Sequence, residues 1–315
     1  PQRRVCVAVG GGGDEKSGLL GRRDLGAATA AAAAILGSPR SARAGLLGRS
    51  PPLSERLAAQ DLPKPFLQSS RPGPTEFPAW LEGDWEATQF FDGFILPNKS
   101  TFDTRQLMAE DTVPGFKVAT IAALADVGSK DVAYRLRFMR DAKTGKVVED
   151  YPFNIKSTMD SYLRSHFGKD AGWAAVESVE TDGPNRVTIR TRQGAAPGGA
   201  RIELYRNANE VEERASDGTF FNSTTLRQVN LDYSTTAGVA AMGVYDYQLI
   251  YTYTPLYDGA DDSNLPARVR STLSVAAYLQ ANTAMAFSTY SGSNVPQLGG
   301  LMDASSLPVI LYSTH

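Results

Sequence analysis

Apolar and polar residues alternate with a period of two along much of the chain beyond residue 79. Val132, Tyr134, Leu136 and Phe138 share one face of such a run, with Arg135 and Arg137 on the other, which is the pattern of a half-buried β-strand. Val187 and Ile189 stand opposite Arg186, Thr188, Arg190 and Arg192, and Ile202 and Leu204 stand opposite Arg201, Glu203 and Tyr205. Further strand-like runs cover 81–91, 220–233, 244–253, 268–279 and 308–312. Tyr245, Tyr247, Tyr251 and Tyr253 give the 244–253 run strong strand character. Turn signals divide these runs at Thr144-Gly145, Asp182-Gly183-Pro184-Asn185, Asp217-Gly218 and Asp258-Gly259. One segment has helical spacing, through Ile155, Met159, Tyr162 and Leu163, with Asn154 or Ser157 as its N-cap and Gly168 as its stop. About nine strands with one or two short helices predict a mainly β domain over 79–315, an antiparallel barrel or sandwich.

Upstream the pattern changes. Residues 45–78 carry Pro51, Pro52, Pro63, Pro65, Pro72, Pro74 and Pro78, which exclude a long helix and predict an extended arm, free to lie along a partner. Within residues 1–44, Arg22 and Arg23 open a short alanine-rich apolar run that ends at Ala42-Arg43-Ala44. Paired arginines, an apolar stretch and an A-x-A cleavage site resemble a twin-arginine export signal. The run is about ten residues long, whereas a membrane span needs roughly 20 strongly apolar ones, so no transmembrane anchor is expected. The stretch ahead of Arg22, with Arg3, Arg4 and a Gly10–Gly13 run, resembles the tail of a plastid transit peptide. The expected address is the chloroplast thylakoid lumen, with bacterial periplasm as the alternative.

Composition narrows the chemistry. The chain has one cysteine, Cys6, and two histidines, His166 and His315, too few for a zinc site of the His/Cys type. With so few bases and no Gly-x-Ser-x-Gly elbow, a serine hydrolase is not expected. Beyond residue 44 there are 25 basic and 31 acidic residues, and this mildly acidic balance argues against nucleic acid as a partner. No cofactor is expected.

The run Glu82-Gly83-Asp84-Trp85 opens the first strand. A Gly-x-Trp in that place resembles the calycin group, the lipocalins and fatty-acid-binding proteins, in which the indole plugs one end of a closed antiparallel barrel. In that group an arginine from a late strand stacks over the indole, and Arg268 and Arg270 are the matching positions. The chain also resembles an uncharacterised family shared by cyanobacteria and plastids. That resemblance rests on Trp80–Trp85, Tyr134–Phe138, Glu149-Asp150-Tyr151-Pro152-Phe153-Asn154 and the Arg227-Gln228 strand. Tyr151-Pro152 stands where the family pattern carries Asp-Arg. Together these resemblances imply a non-enzymatic lumenal protein. Such a protein would bind a small apolar ligand (lipid, pigment or quinone) or associate with a photosystem complex as an assembly or auxiliary factor. The expected ligand-facing residues are Trp85, Tyr134, Arg137, Arg227, Tyr247 and Arg270. The alternative is a barrel enzyme of the isomerase or cyclase kind, with Tyr134, Arg137, Asp150 and Glu212 as its polar groups. The arginines on alternating strand positions also fit a plain solvated face, and the charged run around Glu210 and Glu212 fits a solvated strand edge.

Overall fold

Long alternating runs become long paired strands. The computed structural model describes residues 4–6, 51–65, 73–95, 131–192, 200–232, 241–257, 265–278, 308 and 310–314. Apart from Pro51, these fall in one compact unit. The twin arginines Arg22 and Arg23, the cleavage residues Ala42 and Ala44 and the Asp258-Gly259 turn signal lie outside the described residues.

Twelve strands are present among the described residues: β1 (Arg4–Cys6), β2 (Gly83–Gln89), β3 (Phe91–Ile95), β4 (Val132–Arg140), β5 (Val147–Glu149), β6 (Val176–Thr181), β7 (Arg186–Thr191), β8 (Ala200–Arg214), β9 (Thr219–Asp232), β10 (Ala241–Leu256), β11 (Arg268–Tyr278) and β12 (Ile310–Thr314). The helices are α1 (Leu53–Ala58) and α2 (Tyr151–Phe167), with a 3-10 turn at Ala79–Leu81. Antiparallel pairings make two sheets. One is β2-β4-β5, and the other runs β3-β12-β11-β10-β9-β8-β7-β6. β1 joins them by pairing in parallel with β2 and β11. The mainly β expectation holds. A closed barrel does not appear: β5 and β6 end the path of paired strands without pairing to each other among the described residues. The strand count exceeds nine because β1, β3 and β5 are three to five residues long, too short to show a period.

The two sheets meet around Trp85, which is 1% exposed. Phe77, Leu81, Trp85, Ala87, Phe138 and Val147 pack there with Phe220, Tyr253 and Val269. The indole N–H donates to Leu81 O at 2.7 Å, which satisfies its one polar group inside the core. Gly83 holds φ +132°, a conformation that side-chain-bearing residues avoid, and this is the physical reason for glycine in the Gly-x-Trp motif.

Helix α2 starts earlier than its apolar spacing suggests. Asp150 is the N-cap, accepting from Phe153 N, and Pro152 lies in the first turn where its missing N–H costs nothing. Gly168 ends the helix in the left-handed conformation at φ 59°. Asn154 and Ser157, the expected caps, are used differently. Asn154 Oδ1 accepts from Arg137 N at 2.7 Å and its Nδ2 donates to Arg137 O at 3.2 Å. Ser157 Oγ accepts from Arg135 N at 2.9 Å. Both side chains therefore satisfy the free edge of β4, which β5 covers only from Phe138 to Arg140. This shields an edge that would otherwise invite pairing. The other flank of α2 packs Ile155 and Met159 on Val176, Val187, Ile189, Ile202 and Leu204.

The proline-rich stretch is not extended throughout. Leu53 and Leu62 are fully buried against Phe221, Ile250, Ala276 and Tyr278 on this chain's own sheet. Ser54 N and Oγ both hydrogen-bond the Glu212 carboxylate, at 3.0 and 2.5 Å, and Arg56 pairs with Glu210. The acidic run read as a plain solvated edge is thus the anchor for α1.

Candidate functional site

Strand alternation gives β9 and β10 two faces with different jobs. Phe221 and Ile250 face the arm. Asn222, Thr224 and Leu226 on β9, with Leu249, Tyr251 and Tyr253 on β10, face the other way and line a cavity of about 300 Å³. Tyr134, Leu136 and Phe138 from β4 form a further wall, and Phe77, Tyr151 and Ile155 add to the lining. The rings of Phe77 and Phe138 meet edge to face at 4.9 Å, and those of Tyr251 and Tyr253 stack at 5.7 Å. The walls are therefore mainly aromatic and aliphatic.

Polar and charged side chains are set among them, including Asp141, Glu149, Asn154, Arg206, Asn222 and Thr224. Glu149 is held above the ordinary carboxylate range by burial, partly opposed by the hydrogen bond from Asn154 Nδ2 at 3.1 Å and by the Arg206 charge. Burial pushes the Tyr151 hydroxyl up to about 12, and Arg206 lies over its ring at 5.4 Å. Arg206 stands at an irregularity in the β8–β9 register, between Arg206 and Ala208, and such bulges re-aim side chains beside sites. Tyr251 is held well above its usual range by burial. Asn222 is 5% exposed, and its Oδ1 has no hydrogen-bond partner. A buried unpaired carbonyl oxygen costs roughly 1–3 kcal/mol.

This architecture, with its Gly-x-Trp strand and its Glu149–Asn154 edge motif, has a family. The chain belongs to the domain of unknown function DUF6816. The match covers residues 70–298, which takes in all of the described lining residues. No curated protein and no solved structure matches the chain. The DUF6816 match agrees with the resemblance to an uncharacterised family.

The residues expected to face a ligand are scattered within the DUF6816 domain. Tyr134 lines the cavity, and its hydroxyl donates to Gln89 Oε1 at 3.0 Å. Trp85 is in the core between the sheets. Arg137 points to the opposite face of β4, where it pairs with Asp84 at 2.8 Å and Asp150 at 3.5 Å and lies 4.1 Å over the Phe153 ring. Arg227 makes a two-pronged pair with the buried Asp246, at 2.8 and 2.8 Å, and Lys64 of the arm joins them at 2.5 Å. Tyr247 is fully buried, donating to Gln228 Oε1 at 2.7 Å. Arg270 and Arg268 take exposed positions on β11, and the residue between them, Val269, is the one that packs with Trp85. The alternation that carries Val269 inward carries both arginines to the other face.

The set weighed for an enzyme does not converge either. Tyr134 is in the cavity, Arg137 and Asp150 pair with each other outside it, and Glu212 holds α1. Among the described residues there is no group of three or more His, Cys, Asp or Glu able to hold a metal ion. No helix among them is long and apolar enough to cross a membrane. Sequence reasoning missed Glu149, Tyr151, Arg206 and Asn222 as cavity residues. A polar residue at the apolar-face position of β9, Asn222 between Phe220 and Thr224, was the one available signal.

Proposed function

We propose that this chain is a binding protein for a small amphipathic molecule, held between the two sheets and delivered with the protein to the thylakoid lumen. One observation carries the reading: a cavity of about 300 Å³ walled by aromatic and aliphatic side chains with polar groups set among them. Small-molecule sites are concave, largely apolar and provided with a small number of placed polar groups. This volume is at the low end of the range of roughly 300–1,000 Å³ for such sites. It suits a molecule of one to three rings, or the head group of a longer lipid or quinone, rather than a whole pigment. Among the described residues the lining comes from positions 74–253. Carriage is favoured over association with a photosystem complex because the arm's apolar residues, Leu53 and Leu62, are already buried on this chain's own sheet.

Native mass spectrometry of the mature protein, purified from its natural source under gentle conditions, tests the reading. The expected result is a stoichiometric small-molecule adduct that leaves on collisional activation. A protein that runs only at its bare polypeptide mass, or only within a large membrane complex, overturns it.

A further inference from the structure

Four side chains of the wall are enclosed by protein and still leave polar atoms open to the space they line. Glu149 ends β5, Tyr151 opens α2, Arg206 stands at the irregularity in β8 and Tyr251 is on β10. All four line the cavity, and each is half-buried. Glu149 Oε1 accepts from Asn154 Nδ2 at 3.1 Å, whereas Oε2 has no hydrogen-bond partner among the described residues. The Tyr251 hydroxyl has none there either. The unpaired side-chain atoms sealed from solvent are Asn185 Oδ1 and Asn222 Oδ1. Glu149 Oε2 and the Tyr251 hydroxyl therefore keep accessible surface, and the space their residues line is the cavity.

Arg206 fixes the sign of the charge at this end. Its guanidinium lies 5.4 Å over the Tyr151 ring, hydrogen-bonds the Tyr151 hydroxyl and acts on Glu149 through charge alone. It closes no ion pair among the described residues. A guanidinium stays protonated at any working pH. Burial holds Glu149 above the ordinary carboxylate range, which favours its neutral form, a hydrogen-bond donor. Burial likewise keeps Tyr151 and Tyr251 as neutral hydroxyls, and Tyr151, which accepts from Arg206, has its own hydrogen left to give. The second carboxylate of the wall, Asp141, is engaged in the β4–β5 turn by Lys143 N and Thr144 Oγ1. The hydroxyls of Thr75, Tyr134, Thr158, Thr181, Thr224 and Tyr253 complete the polar lining; they serve any polar ligand and do not decide its charge.

Resting on the binding reading above, we infer that the cavity takes a small organic acid whose carboxylate pairs with Arg206, with Tyr151, Tyr251 and Glu149 grouped around the same head. Its apolar body lies among Phe77, Phe138 and Tyr253. A planar carboxylate matches the guanidinium fork. One negative charge balances one cation, whereas a phosphate dianion would leave charge uncompensated in an enclosed site. An ammonium head would meet a guanidinium of like sign.

A congener series reads this directly. Isothermal titration calorimetry at neutral pH is run with phenylbutyrate, phenylbutanol and phenylbutylamine, which share a ring and chain and differ in the head. Wild-type protein is expected to bind the acid at least about tenfold more tightly than the alcohol, and the amine most weakly. In Arg206→Met the preference for the acid falls to about twofold or less while the alcohol still binds. Equal binding of acid and alcohol by the wild type, or tightest binding of the amine, overturns this inference and leaves the cavity reading standing. Binding of none of the three overturns both. An unchanged acid preference in folded Arg206→Met also overturns it, and the wild-type series decides the matter should that variant fail to fold.

Discussion

Replacing Asn154 with leucine probes how the β4 edge is held and, through Glu149, how the polar end of the cavity is set. The side chain is 3% exposed and makes three hydrogen bonds: two with the backbone of Arg137, at 2.7 and 3.2 Å, and one to Glu149 Oε1 at 3.1 Å. Leucine is close in volume, so the packing cost is small. What remains is polar. Arg137 N–H loses its acceptor, at a cost of about 1–3 kcal/mol for a buried orphan. Arg137 O keeps its bond from Asp150 N at 3.0 Å and is not orphaned. Glu149 loses a donor to a charged acceptor, worth about 1.5–3 kcal/mol, part of which is recovered by protonation. The expected total is about 2–4 kcal/mol. Urea unfolding at neutral pH is expected to show a lower midpoint with an unchanged slope, and hydrogen exchange is expected to show loss of protection at the Arg137 amide. A loss under about 0.5 kcal/mol, with that amide still protected, would refute the view that α2 side chains cap the edge of β4.

Three further outcomes are expected. Leu53→Ala removes a fully buried side chain from the arm–sheet cluster and is expected to cost about 2–5 kcal/mol in urea unfolding, with proteolysis of the arm accelerated; an unchanged cleavage rate would mean that the arm is not part of the folded unit. Glu149→Gln keeps an acceptor for Asn154 and removes a carboxyl held above its usual range by burial. A raised folded-state pKa costs nothing below the unfolded value, and its penalty builds as pH rises through the window between the unfolded and folded values. The variant's midpoint is therefore expected to match wild type at about pH 3.5, below the usual carboxylate pKa, and to exceed it at pH 8; a gap that does not change with pH contradicts the assignment. Gly83→Ala meets no neighbouring atom within 4 Å but must hold φ +132°, so calorimetry is expected to show a loss of about 1–3 kcal/mol from backbone strain alone.

Strands with clean alternation were legible in the sequence where one buried face imposes a period of two, as β4 shows. β1, β3 and β5 are too short to carry a period, and a closed barrel was inferred from a strand count that says nothing about whether the first and last strands pair. The stop of α2 was legible at Gly168 because a left-handed C-cap favours glycine. Its start was not, because Asn154 and Ser157 are good caps by type and the competing use, capping β4, is a tertiary contact. The cavity was the least legible part. Tyr134 was found through its strand, whereas Arg137 and Arg227 were drawn to ion pairs with Asp84, Asp150 and Asp246 on neighbouring elements. Whether an arginine lines a pocket or closes an ion pair depends on which acidic residue the fold brings opposite, and spacing along one strand does not encode that.

The central claim is that a small molecule occupies the space between the sheets, and the most direct measurement is a fluorescence titration with N-phenyl-1-naphthylamine, a neutral apolar probe. Wild-type protein and Leu136→Trp, in which a larger side chain from β4 fills the cavity, are compared after thermal melting confirms that both are folded. The account predicts saturable one-to-one binding by the wild type and at least about a tenfold weaker affinity in the filled variant, equivalent to about 1.4 kcal/mol. No saturable binding by the wild type, or equal binding by the two proteins, would contradict it.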